Sequence, residues 1–189
     1  MQNDKFIGVF DDVLSSEDHK KIYDHLNNSS WRIFKTQANN VDFHFTSTFY
    51  NNLMNIPEEY DIFAQHHKPI HALYEKFVDI VQPHIGEYAA TSIYANCKPY
   101  GLNSYLHTDG GDYTFIYYAN LEWDAQWEGG TSLYEKDEKG LLDCVRYISY
   151  KPNRLILFPS SMLHRGMPVD RNAFGPRFIV VARGVVNAK

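Results

Sequence analysis

Apolar residues recur first at helical and then at strand spacing along this chain. Ile22, His25 and Leu26 form one stripe, and Ser15-Ser16-Glu17-Asp18 ahead of them has capping-box character. Together they predict a helix running through about Asn27. A second helical region is predicted from Pro57-Glu58-Glu59. It is interrupted at Pro69 and resumes through Ala72, Leu73, Phe77, Ile80 and Val81 until Pro83 and Gly86 stop it. Beyond Gly86 the pattern changes to short strands, expected at Thr91–Cys97, Ser104–His107, Tyr113–Leu121, Thr131–Tyr134, Val145–Tyr150, Arg154–Pro159 and Arg177–Arg183. Gly110-Gly111, Gly129-Gly130, Lys151-Pro152-Asn153 and Gly175-Pro176 punctuate them. The earlier Val41–Phe49 alternates polar and apolar residues and adds an edge strand.

Helices followed by evenly spaced strands predict a mainly β fold, a sandwich with helices packed on one side. At 189 residues, with no repeat and no long linker, the chain reads as one domain spanning 1–189, with helical support over about 1–86 and a β core over about 87–185. Fourteen tyrosines, 12 phenylalanines and 3 tryptophans suit half-buried sheet surfaces.

Composition narrows the function classes. No apolar run approaches the roughly 18 residues that span a bilayer, and Met1–Lys5 lacks the basic and apolar start of a signal peptide. Cys97 and Cys144 then read as reduced thiols, and the expected location is cytoplasmic. A net charge of −5 argues against a nucleic-acid backbone as the main partner.

Candidate chemistry lies in the second half. His107-Thr108-Asp109 puts two ligand types two residues apart on an extended segment, where side chains share a face. Nine histidines and 23 acidic residues make about one such triplet expected by chance, so context decides. The context is His164, 57 positions later, after the buried-strand pattern Arg154–Pro159. Two imidazoles and one carboxylate are the ligand set that holds Fe(II) on one side and leaves open positions for substrate and oxygen. Arg177, beginning the apolar run Phe178–Ala182, needs a partner, because a lone buried cation is expensive. Its guanidinium suits the far carboxylate of a dicarboxylate co-substrate, 2-oxoglutarate. Arg165, Arg171 and Arg183 compete for that role, and Arg177 is preferred.

The ordered set Tyr100-Gly101, His107-Thr108-Asp109, Tyr117–Asn120, Trp123-Asp124-Ala125, Gly129-Gly130, Leu157-Phe158-Pro159, His164 and Arg177 resembles the 2-oxoglutarate and Fe(II)-dependent oxygenase superfamily, in its prolyl 4-hydroxylase-like branch. The resemblance implies a double-stranded β-helix (jelly-roll) core with N-terminal helices packed on one sheet. It implies iron held by His107, Asp109 and His164, and 2-oxoglutarate held by Arg177 with help from the Tyr117 hydroxyl. Ascorbate would be a supporting reductant. The reaction implied consumes O2 and 2-oxoglutarate, releases succinate and carbon dioxide, and hydroxylates an unactivated C–H bond. A carboxylate at Asp109 sets the chain apart from the related iron halogenases, which carry a small residue there.

Three alternatives stand beside a prolyl residue in a peptide or protein as substrate. They are a small molecule (amino acid, nucleotide or natural-product intermediate), a non-catalytic jelly-roll binding module, and a zinc hydrolase. The last lacks any H-E-x-x-H signature. Substrate choice is expected in the loops Phe34–Phe45, Asn51–Pro57 and Asp170–Pro176.

Overall fold

The computed structural model describes residues 6–35, 43–51, 57–102 and 104–186. Ten strands and three helices follow in the order β1 (Gly8–Phe10), α1 (Ser16–Asn27), β2 (Arg32–Lys35), β3 (Phe43–Asn51), α2 (Pro57–His66), α3 (Lys68–Ile85), β4 (Tyr88–Lys98), β5 (Tyr113–Tyr118), β6 (Thr131–Lys136), β7 (Leu142–Ile148), β8 (Arg154–Pro159), β9 (Leu163–Gly166) and β10 (Arg177–Val186). A 3-10 turn occupies Ala125–Trp127.

The strands form an antiparallel sheet of seven, ordered β1-β8-β5-β10-β4-β3-β2, and a facing sheet of three, β7-β6-β9. The fold is the expected jelly-roll with helices on one side. Along β10, Phe178, Val180 and Ala182 join the core beneath the helices, while Ile179 and Val181 face the smaller sheet. The period of two thus assigns alternate residues to two cores. Ile22 and Leu26 of α1, Phe63 of α2, and Ile70, Leu73, Phe77 and Val81 of α3 close the outer core, each essentially fully buried. Each such side chain stabilises the fold by about 1.5–3 kcal/mol.

Local signals explain the helix ends. The Ser15 side chain accepts from the Asp18 N–H (3.1 Å), capping α1 as expected. Pro69 lies in the first turn of α3 rather than interrupting a longer helix, since a missing N–H costs nothing there. Pro83 is carried within the last turn, and the helix ends at Gly86, whose positive φ (87°) suits glycine.

Three expectations need correction. Ser104–His107 is not a strand, and only His107 takes a ladder position, as an isolated bridge. β3 is not an edge, because it pairs with both β2 and β4, leaving β2 outermost. The first 86 residues supply three strands to the larger sheet as well as the helices. Val41, Asp42 and Asn103 lie outside the described residues, as do most of the two earlier substrate-loop candidates (36–42 and 52–56). No helix among the described residues is long and apolar enough to cross a membrane, and both cysteines are free.

Candidate metal centre and its cavity

β9 pairs with β6 through Leu133↔His164, and its other edge is met by His107 alone. The His107 N–H donates to the His164 carbonyl (3.1 Å) and the His164 N–H to the His107 carbonyl (2.9 Å). Residues exchanging both bonds in an antiparallel pair project their side chains to one face. The two imidazoles accordingly lie 4.3 Å apart, centroid to centroid. Asp109 is placed by its own N–H, which donates to the Ser160 carbonyl (2.8 Å) at the end of β8.

The ring nitrogens are set by what lies behind them. His107 Nδ1 is 3.0 Å from the Tyr105 carbonyl, and His164 Nδ1 is 3.0 Å from the Met162 carbonyl. A carbonyl only accepts, so each Nδ1 carries the proton and each Nε2 presents its lone pair forward. Those Nε2 atoms stand 3.8 Å and 3.4 Å from the Asp109 carboxylate. One ligand atom from each residue falls within 4.8 Å of the others, a convergent N,N,O set. Histidines whose far nitrogen is tied to a carbonyl are what a metal site needs to hold tautomer and orientation.

Electrostatics keep the set in ligand form. Burial pushes the Asp109 carboxyl upward, but hydrogen bonding, including that from the Thr114 hydroxyl (2.9 Å from Oδ2), outweighs it and holds the group below its usual range. Burial, followed by the neighbouring His164, pushes the His107 imidazole down, which favours the neutral ring.

The three residues open on a cavity of about 370 Å³ between the sheets. Inward positions of β4 (Ser92, Tyr94, Asn96, Lys98) and β10 (Arg177, Ile179, Val181, Arg183) line it, with Thr46 and Thr48 from β3. Arg177 is 2% exposed. Its Nη1 donates to the Gly129 carbonyl (2.5 Å) and lies 3.4–3.5 Å from those of Met167 and Gly130, while its buried Nε has no partner. No acidic side chain pairs with it among the described residues, and burial pushes its pKa down. Such a cation stays charged regardless. Gly166 makes the room, since a Cβ there would lie 2.6 Å from Arg177 Nη2.

Tyr117 is the one expected site residue that the structure sends elsewhere. It lies on the helix-facing side of β5, its hydroxyl 2.5 Å from His19 Nδ1 and 3.0 Å from Asn153 Oδ1. His19 Nε2 donates to the Asn120 carbonyl (2.9 Å), so its Nδ1 is the acceptor for that hydroxyl. The inward tyrosine is its neighbour Tyr118, whose hydroxyl donates to Thr131 Oγ1 (2.9 Å) on the cavity wall. A one-residue difference on a strand exchanges faces.

Sequence reasoning passed over Lys98 and Asn96, which line the cavity, and set Arg183, which lines it too, behind Arg177. Lys98 is buried opposite Arg177 in the β4–β10 register, and its ammonium donates to the Ser104 hydroxyl. Arg183 Nη1 lies 3.5 Å from Asp109 Oδ1, its Nε donates to Ser92 Oγ (3.1 Å), and its guanidinium sits over the Tyr94 ring. Parity from Arg177 along β10, and from Tyr94 along β4, was the available signal. Arg165 turns away onto Tyr134, as expected of a residue next to His164.

Residues 94–182 match the sequence profile of the 2OG-Fe(II) oxygenase superfamily. No curated protein matches in sequence. Among solved structures, the chain is similar to a prolyl hydroxylase from Trichoplax adhaerens in complex with a hypoxia inducible factor peptide fragment (17% identity, 96% of this chain and 84% of that one, TM-score 0.59). It is also similar to a Pseudomonas putida prolyl-4-hydroxylase (12% identity, 95% and 92%, TM-score 0.62). The non-heme alpha ketoglutarate dependent epimerase SnoN from nogalamycin biosynthesis is similar too (8% identity, 94% and 77%, TM-score 0.60).

Proposed function

We propose that this chain is a 2-oxoglutarate- and iron-dependent oxygenase of the superfamily whose profile residues 94–182 match, and that it hydroxylates an unactivated C–H bond of a substrate bound in the cavity between the sheets. The observation that carries this is one cavity containing both a convergent His107/Asp109/His164 set and the buried, acid-free guanidinium of Arg177.

Two imidazole nitrogens and a carboxylate oxygen grouped on one side fit Fe(II). Bound Fe(II) supplies the oxidising chemistry, in which 2-oxoglutarate and O2 yield succinate, carbon dioxide and an oxygen atom transferred to the substrate. This chain's residues do the rest. Tyr105 and Met162 carbonyls hold the two imidazoles in their ligating tautomer, and Thr114 fixes the Asp109 carboxylate. Arg177 anchors the distal carboxylate of 2-oxoglutarate by charge-assisted hydrogen bonds, its side chain already aligned by three backbone carbonyls. Ile116, Ile179 and Val181 supply the aliphatic part of an otherwise mostly polar cavity wall.

A prolyl residue in a peptide is one substrate consistent with the prolyl hydroxylases among the neighbours. A small molecule is the other, consistent with the likeness to SnoN.

Anaerobic addition of Fe(II) and 2-oxoglutarate should give a visible charge-transfer colour, and admission of oxygen should release succinate without added substrate. His164→Ala should lower succinate release by more than about 100-fold, because even loss of a group that merely orients a metal ligand costs 10–100-fold. Undiminished release would remove His164 from the ligand set.

A further inference from the structure

The cavity has a positively charged group at each end of its β10 wall, and 2-oxoglutarate accounts for only one of them. Arg177 and Arg183 both point inward, six residues apart, about 20 Å of strand. Arg183 is the partly open one, with 34% of its side chain exposed, and it is held in place rather than free to swing. Ser92 fixes Nε and the Tyr94 ring supports the guanidinium face. Its Nη2 donors meet no protein acceptor among the described residues.

Charge accounting sharpens the point. With the proposed site loaded, the two charges of Fe(II), the Asp109 carboxylate, the Arg177 guanidinium and dianionic 2-oxoglutarate cancel. Arg183 keeps company with Asp109 at 3.5 Å, but a metal drawing on that carboxylate weakens the guanidinium's one acidic contact. Lys98 is a second cation of the same cavity, at the Arg177 end, its ammonium donating to the neutral Ser104 hydroxyl. The strand positions beside Arg183 are polar: Ser92 pairs with it across β4, and Asn51 pairs with Ser92 one strand further on. A neutral apolar ring would leave them and the cation unsatisfied.

We infer that Arg183 holds an oxyanion, most simply a carboxylate, of the primary substrate. This inference rests on the oxygenase assignment of the same site. Because Arg183 reaches an oxygen of the proposed ligand Asp109, the bound anion and the oxidised carbon are separated by a short bond path. The carboxylate has two sources of the same chemistry, a free acid such as an amino acid or an acidic side chain within a peptide.

The test uses protein loaded anaerobically with Fe(II) and 2-oxoglutarate. L-Leucine, L-proline and L-glutamate are titrated as free acids, alongside their amides and an end-blocked glutamyl peptide. Binding is read from the thermal unfolding midpoint and from change in the visible band. At least one acid should bind about 10- to 100-fold more tightly than its neutral counterpart, the effect of one charged hydrogen-bonded contact. Arg183→Gln should remove that preference and Arg183→Lys should restore most of it, while half-saturation by 2-oxoglutarate changes little. Preference confined to the free acids places the anion on a small molecule, and preference confined to the blocked peptide places it on a protein side chain. The inference is overturned if no acid outperforms its neutral partner, or if Arg183→Gln weakens 2-oxoglutarate instead. Colour without acid preference rejects the anion site alone. Acid-selective thermal stabilisation without colour upholds the anion site and rejects the oxygenase assignment.

Discussion

The two faces of the seven-stranded sheet are made by the same strands under opposite rules. On the helix-covered face, β5 and β10 present Phe115, Tyr117, Phe178, Val180 and Ala182, and the one hydroxyl among them, that of Tyr117, is partnered within the Tyr117–His19–Asn120 chain. On the cavity face the same strands present Arg177 and Arg183 beside Ile116, Ile179 and Val181, and the buried Nε of Arg177 has no partner. One face is closed chemically, while the other is built to be completed by ligands. Stability and reactivity are thus separated by a step of one residue along a strand.

Substitutions on the two faces should therefore fail differently. The largest effect is expected on the covered face. Phe115→Ala, at a site with no exposure, should cost about 3–5 kcal/mol of unfolding free energy in denaturant titration. Succinate release by the fraction that stays folded should be intact. A comparable stability loss from the cavity-face change below would erase the contrast.

Arg177→Met should do the reverse. Affinity for 2-oxoglutarate should fall by about 10- to 100-fold in equilibrium titration, while the unliganded protein should be as stable as wild type or more stable by about 1 kcal/mol, since a buried unpaired cation is costly. A clear loss of stability would mean that the three carbonyl contacts already compensate the charge.

Tyr117→Phe should cost about 1–2 kcal/mol by leaving His19 without its donor, with no change in 2-oxoglutarate affinity. A marked loss of that affinity would return Tyr117 to the site.

The smallest effect tests the rim of the sandwich. Asp11 pairs with Arg154 and Lys151, chiefly through the Arg154 hydrogen bonds, and is held down at about 2. A carboxyl with a depressed folded value contributes stability above its unfolded value near 3.8, and that contribution is lost as pH falls toward 2. Asp11→Asn should flatten the loss of stability between about pH 4 and 2, by less than about 1 kcal/mol because the pair is partly exposed. An unchanged acid profile would show that the pair contributes nothing.

Much of this was legible in the sequence. The helix caps, the long apolar strands β8 and β10, and the His107, Asp109, His164 and Arg177 quartet all carried local signals. What escaped depends on pairing rather than pattern. β9 is only Leu163–Gly166, of mixed polarity, and exists because β6 and His107 flank it. Tyr117 and Tyr118 are chemically alike, so only the register of β5 against β10 decides which faces the cavity. Lys98 reads as an ordinary charge after a strand until its opposition to Arg177 is known.

Gly166 shows how narrow the inherited tolerance of such a cavity is. Its backbone makes no demand that only glycine meets, and what a methyl group would strike is the guanidinium of Arg177. Drift to alanine at this codon would leave the fold's outline and its durability almost untouched while displacing the Arg177 fork. On the proposed role of Arg177 in holding 2-oxoglutarate, selection at position 166 would act through lost turnover, invisible to any screen that scores only whether the protein folds.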